Sequence, residues 1–203
     1  MDSRRRLITL AITTSRTVVL TALARYAYQY QEAPFLLTSG QQSREYLDCK
    51  QALGRAEVLP HVGALLLSYL RESVVAVGGL TMGADPLAIA ASYASSSTSR
   101  SVSWFSVRKQ PKEHGKNRLI EGAVQKGSRV AILDDVVTTG GSTIQAIEKT
   151  RGEGLEVVQV LVLVDRENGG MAAIRDALGP DISLDALFTK SEIQAEVARQ
   201  EDE

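Results

Sequence analysis

The 203 residues carry 23 basic and 24 acidic side chains, a formal net charge of −1. That length suffices for one well-buried domain, and the near-balance excludes the basic surface of a nucleic-acid binder and a charge-driven membrane attachment. Cys49 is the single cysteine and there are two histidines, which excludes an internal disulfide and a Cys/His zinc site and makes a reducing cytoplasm the simplest compartment.

At the N-terminus, Arg4, Arg5 and Arg6 precede the apolar run Leu7 to Ile12, a faint likeness to the first parts of a signal peptide. Arg16 interrupts it, and the run falls short of the about 20 residues needed to span a bilayer. It reads as a frayed lead-in to a helix. Val18, Val19, Leu20, Leu23, Tyr26, Ala27 and Tyr30 recur near helical spacing, so a helix is predicted over 18–30, stopped by Pro34. Residues 35–40 then read as a strand entering a turn and 43–48 as a second strand, which by themselves make a plain hairpin. Val62, Leu65, Leu66 and Tyr69 predict a helix over 58–69, with Pro60 in its first turn. His61 beside it is given no role.

Residues 73–77 form a buried-strand candidate that runs into the small-residue loop 78–86, followed by a helix over 87–93. A polar connection, 95–101, leads to a third strand over 102–107. Immediately after it, Arg108, Lys109, Lys112, His114, Lys116 and Arg118 place six cationic or titratable groups in a stretch with little apolar content. Composition alone makes this a solvated, mobile loop. Glu121-Gly122 and Lys126-Gly127 mark turns before the next strand.

Val130 to Leu133 read as a strand buried on both faces, ended by Asp134 and Asp135. Thr138, Thr139, Gly140, Gly141, Ser142 and Thr143 follow, then a helix. Glycines let backbone N–H groups converge, the hydroxyls add donors, and a helix N-terminus favours an anion, so this loop suits a phosphate. No Gly-Lys-Ser/Thr follows the glycines, which separates it from a P-loop. Residues 157–164 give the longest buried strand, ending in Asp165, Arg166 and Glu167. A short helix over 171–178, a strand over 182–188 and a terminal helix from Ser191 complete the chain. The alternation predicts an α/β fold, a central parallel sheet of about five strands flanked by helices, with ligands at the carboxyl ends of the strands. Loops after Val77, Val107, Leu133 and Val164 lie at those ends.

The acidic pair followed by Thr138 to Thr143 resembles the phosphoribosyl pyrophosphate (PRPP) motif of type I phosphoribosyltransferases. Carried over, Asp134 and Asp135 read the ribose hydroxyls and the loop holds the 5-phosphate. Three further segments narrow the likeness to orotate phosphoribosyltransferases. The run FLLTSGQQSREYLD (35–48) resembles their N-terminal hood, which implies Ser39, Gly40, Tyr46 and Leu47, with Thr138, beside the base. Thr81, Met82 and Gly83 fall in the pyrophosphate loop. Many members carry lysine at the position of Met82, so that charge is supplied elsewhere or the pyrophosphate is held less tightly. The basic loop resembles the family's catalytic loop, implying that Arg108, Lys109, Lys112 and His114 contact pyrophosphate and that Lys112 and His114 reach the neighbouring subunit. Arg166 stands where the family reads orotate, and a guanidinium has the planar fork for its carboxylate.

The resemblance implies one domain over 1–203, with a hood mainly over 15–56 and a core over about 57–190. It also implies a homodimer sharing loop 108–118, with magnesium bound through PRPP and no metal held directly by the chain. The expected reaction joins orotate to the 5-phosphoribosyl group of PRPP, giving orotidine 5-monophosphate and pyrophosphate. The alternatives are a type I transferase for another base and a PRPP-binding regulator.

Overall fold

The computed structural model describes residues 3–36, 42–111 and 118–202. A long helix α1 (Ser3–Ala22) passes through a π turn (Leu23–Ala27) into an antiparallel hairpin, β1 (Tyr28–Leu36) and β2 (Gln42–Leu47). Helices α2 (Lys50–Leu53) and α3 (Leu59–Tyr69) lead to β3 (Ala76–Leu80), α4 (Asp85–Ser95), β4 (Ser103–Val107) and β5 (Ile120–Gly122). Then follow β6 (Arg129–Val137), α5 (Gly141–Gly152), β7 (Glu156–Asp165), α6 (Gly170–Leu178), β8 (Ser183–Thr189) and α7 (Lys190–Glu201). The main sheet has the order β5-β4-β3-β6-β7-β8. Its first five-strand stretch from β8 to β4 is parallel, and β5 adds an antiparallel edge.

The uninterrupted apolar runs of β6 and β7 are explained by helices on both faces. Because successive side chains point to opposite sides of a strand, Val130, Ile132, Val160 and Val162 pack with Ala146, Ile147 and Ile174 of α5 and α6. Ala131, Leu133, Leu161 and Leu163 pack with Leu23, Leu66, Leu87 and Ile193 from the π turn, α3, α4 and α7. Among the described residues no helix is long and apolar enough to cross a membrane.

Three expectations are corrected. The first helix does not reach Tyr30, because Tyr28 to Tyr30 pair with Leu47 to Glu45 and the apolar spacing there belongs to a strand. Pro34 lies inside β1, within the irregular stretch between Tyr30 and Phe35, where its missing N–H costs no ladder bond. Gly78 and Gly79 belong to β3 rather than to a loop. Neighbouring backbone comes so close that a Cβ on Gly78 would lie 2.2 Å from the Phe105 carbonyl oxygen, and one on Gly79 2.1 Å from that of Leu133. The glycines there serve close strand packing, a use that a sequence cannot distinguish from turn chemistry. Lastly, β6 continues to Val137, so Asp134 and Asp135 are not its tip.

Candidate active site

Asp134 and Asp135 are each 6 % exposed, buried carboxyls inside a central strand. Strand alternation sends them apart. Asp134 continues the Val130 and Ile132 face and meets α5, where the Thr143 hydroxyl donates to its Oδ2 at 2.5 Å and the Asp135 N–H to its Oδ1 at 3.0 Å. Burial, with the neighbouring Asp135 charge adding to it against the Thr143 bond, raises its pKa to about 7. Asp135 continues the Leu133 face. The Lys50 ammonium lies 3.6 Å from its Oδ2, an oxygen buried without a hydrogen-bond partner. The Cys49 thiol donates to its backbone carbonyl at 3.5 Å, and Gly83 packs so closely that a Cβ would lie 2.4 Å from Oδ1.

Lys50 also pairs with Asp48 at 2.7 Å. Partial burial opposes its charge, but the two carboxylates outweigh that and hold its pKa above the ordinary lysine value. Its place beside Asp135 was not legible in the sequence, where a lysine after Asp48-Cys49 resembles any solvated loop residue. The signal lay in its distance of three residues from Leu47, at the end of the strand already placed beside the site.

A cavity of about 430 Å³ opens at the carboxyl ends of β6 and β7. Its walls are Asp134, Thr138 to Thr143, Arg166, Lys50, and Tyr46 with Leu47 from β2. Gly140, at φ 82°, turns the chain into α5, whose first-turn N–H groups have no intrahelical partner and face the loop. Arg166 is held by its N–H to the Val137 carbonyl at 2.9 Å and by its guanidinium to the Glu45 carbonyl at 3.3 Å. Its Nε is buried without a hydrogen-bond partner, leaving a donor for a ligand. Glu45 in turn ties β2 to α7, accepting from Lys190 at 3.1 Å, from Tyr28 at 2.8 Å, and from Gln194. Burial acts against the Glu45 charge, but the bonds from Tyr28 and Lys190 hold its pKa below the usual range.

Arg108 and Lys109 do not line that cavity. They border a larger, open cleft of about 1050 Å³ with Thr81, Asp85, Trp104 and Glu121. The larger space is therefore not the one that holds Asp134 and the phosphate-type loop, and the convergent donors favour the smaller as the ligand site. Met82 is 68 % exposed, and the peptide joining Thr81 to it is cis. The stem of the basic loop is closed by the Arg108 N–H to the Leu119 carbonyl at 2.8 Å, and Arg108 faces Glu121 at 3.6 Å. From α5, the Lys149 ammonium donates to the carbonyls of Arg108 and Lys109 at 3.1 and 2.6 Å, a contact the sequence did not announce. Ser39, Gly40, Lys112 and His114 lie outside the described residues.

A parallel sheet carrying an acidic pair in its central strand, followed by a phosphate-type loop and helix, is the arrangement of type I phosphoribosyltransferases. No family model matches the chain. The curated orotate phosphoribosyltransferase of Aquifex aeolicus is 44 % identical over 163 residues, covering 80 % of this chain and 87 % of the relative. Solved structures of the Mycobacterium tuberculosis H37Rv orotate phosphoribosyltransferase align as well. The Fe(III) dicitrate complex has a TM-score of 0.73 at 32 % identity, over 88 % of this chain and 98 % of that one. The PRPP complex has 0.68 at 26 %, over 89 % and 92 %. The chain belongs to the orotate phosphoribosyltransferase family.

Proposed function

We propose that this protein transfers the 5-phosphoribosyl group of PRPP to orotate, giving orotidine 5-monophosphate and pyrophosphate, a step of pyrimidine nucleotide synthesis. The observation that carries this reading is the convergence on one cavity of Asp134, the phosphate-type loop, Arg166 and Lys50, the partner of Asp135. In it the α5 loop takes the 5-phosphate, Asp134 and Asp135 accept from ribose hydroxyls, and Arg166 donates to the orotate carboxylate under Tyr46 and Leu47. At ribose C1 the bond to pyrophosphate breaks as the bond to the orotate ring nitrogen forms on the opposite face. The chain's part is to position the reactants and to offset charge.

Among the described residues no group of three or more His, Cys, Asp or Glu side chains is placed to hold a metal ion. The donor set fits magnesium held chiefly by substrate oxygens and waters, the usual preference of that ion. The unpartnered Oδ2 of Asp135 is available to those waters or to the hydroxyls beside them. When bound, magnesium would screen the phosphate charge.

Arg108 and Lys109 would act with Lys112 and His114 on the leaving pyrophosphate. Their placement at the open cleft, away from Asp134, supports a loop shared between the subunits of a homodimer. Ile89, Tyr93 and Trp104, 44, 75 and 39 % exposed, supply apolar surface beside that cleft for a second copy. A cytoplasmic setting fits the single, buried Cys49. An assay of orotate consumption with PRPP and magnesium, run beside uracil, hypoxanthine and adenine, tests the reading. Turnover of a purine base without turnover of orotate would overturn it.

A further inference from the structure

We propose that Lys50 is a substrate-binding residue, and that a ribose hydroxyl of PRPP bridges its ammonium and the Asp135 carboxylate. The inference deepens the function proposed above and rests on it. Among the described residues, the cation ion-paired with the acidic pair is Lys50. Its side chain is 47 % exposed, whereas those of Asp48 and Asp135 are 16 and 9 % exposed, and it lines the cavity beside Asp134 and the α5 loop.

Two features separate this from a purely structural ion pair. The 3.6 Å gap to Asp135 Oδ2 exceeds a hydrogen bond, and that buried oxygen has no hydrogen-bond partner. A buried acceptor left open beside a cation fits a group that both donates and accepts. A hydroxyl does both: its hydrogen goes to Asp135 and its lone pair receives an ammonium N–H. Asp48 occupies one of the three ammonium donors, so donors remain. The second feature is local charge. The loop that touches Asp135 through Gly83 has the sequence Thr81-Met82-Gly83-Ala84 and carries no cation. Of the two cations that line the cavity, Lys50 and Arg166, Lys50 is the one paired with Asp135, so it offsets the carboxylate charge that a polyanionic substrate meets there.

The test uses the full chain as wild type, Lys50→Met, Lys50→Arg and Asp48→Asn. Steady-state kinetics give KM for PRPP and orotate separately, calorimetry gives direct PRPP binding, and thermal unfolding checks the fold. Lys50→Met should weaken PRPP binding and raise its KM roughly tenfold or more, the scale of a charge-assisted hydrogen bond, with KM for orotate changed far less. Lys50→Arg should restore part of the loss. Asp48→Asn keeps the Lys50–Asp135 pair and should bind PRPP nearly as the wild type does. Unchanged PRPP affinity in Lys50→Met overturns the inference, as does an equal loss in Asp48→Asn accompanied by the same fall in Tm. A wild type that binds PRPP but does not consume orotate overturns the proposed reaction, while the calorimetric comparison still decides the role of Lys50.

Discussion

Asp134 is tuned against the stability of the fold. In an unfolded chain its carboxyl titrates near 3.8, and in the native strand near 7. The folded state thus prefers the protonated acid, so the contribution to stability is full below about pH 4 and is lost as pH rises through about 7, by up to roughly 4 kcal/mol. Asp134→Asn keeps an acceptor for Thr143 and removes the buried charge. Its Tm should exceed that of the wild type at pH 8, and the gap should narrow as pH falls and close below about pH 4, while turnover collapses; a lower Tm at pH 8 would refute this account. Gly83 is a second residue-scale test. A methyl there would lie 2.4 Å from Oδ1 and 2.9 Å from Cγ of the buried Asp135, so Gly83→Ala should push that carboxylate aside, raising KM for PRPP several-fold and lowering Tm. The acidic pair was legible as a motif, and the loop after it as a glycine- and hydroxyl-rich turn into a helix. That the two acids face opposite layers followed from strand alternation only once β6 was seen to run past them. Lys50 was hidden because its partners, Asp48 and Asp135, are joined by the fold and not by any spacing.

At the scale of elements, α5 links two loops. Its N-terminus carries the phosphate-type turn, and Lys149 near its C-terminus holds the carbonyls at the stem of the basic loop. Lys149→Met should loosen that stem, lowering kcat several-fold and increasing proteolytic cutting between Lys109 and Arg118, with Tm nearly unchanged. An unaltered cleavage pattern would show that the contact does not restrain the loop. The alternation of strands and helices was legible because buried β-branched runs and helical spacing are local properties. The start of β1 was not: Tyr28 and Tyr30 satisfy a helical period until a partner strand claims them. The glycines of β3 misled for a similar reason, since their need is the closeness of β4 and β6.

Across the whole molecule, the two ends of the chain close on each other. Thr21 donates to Glu196 at 2.8 Å, and Arg16 reaches both Glu192 and the Leu187 carbonyl. These hydroxyls and charges lie on helices whose polar faces a sequence assigns to water, so this closure was invisible there. With Lys190 and Gln194 holding Glu45, α7 secures both α1 and the hairpin over the cavity. The proposed dimer also belongs to this scale. Replacing Ile89 with Glu should shift sedimentation toward monomer and lower specific activity on dilution, while a wild type that stays monomeric at all concentrations would remove the shared loop. Trp104, the chain's single tryptophan, lines that open cleft and not the cavity with Asp134. Its emission is therefore an unlabelled optical probe of one face of the protein: spectral changes on assembly or loop movement would arise there, with no second indole to obscure them.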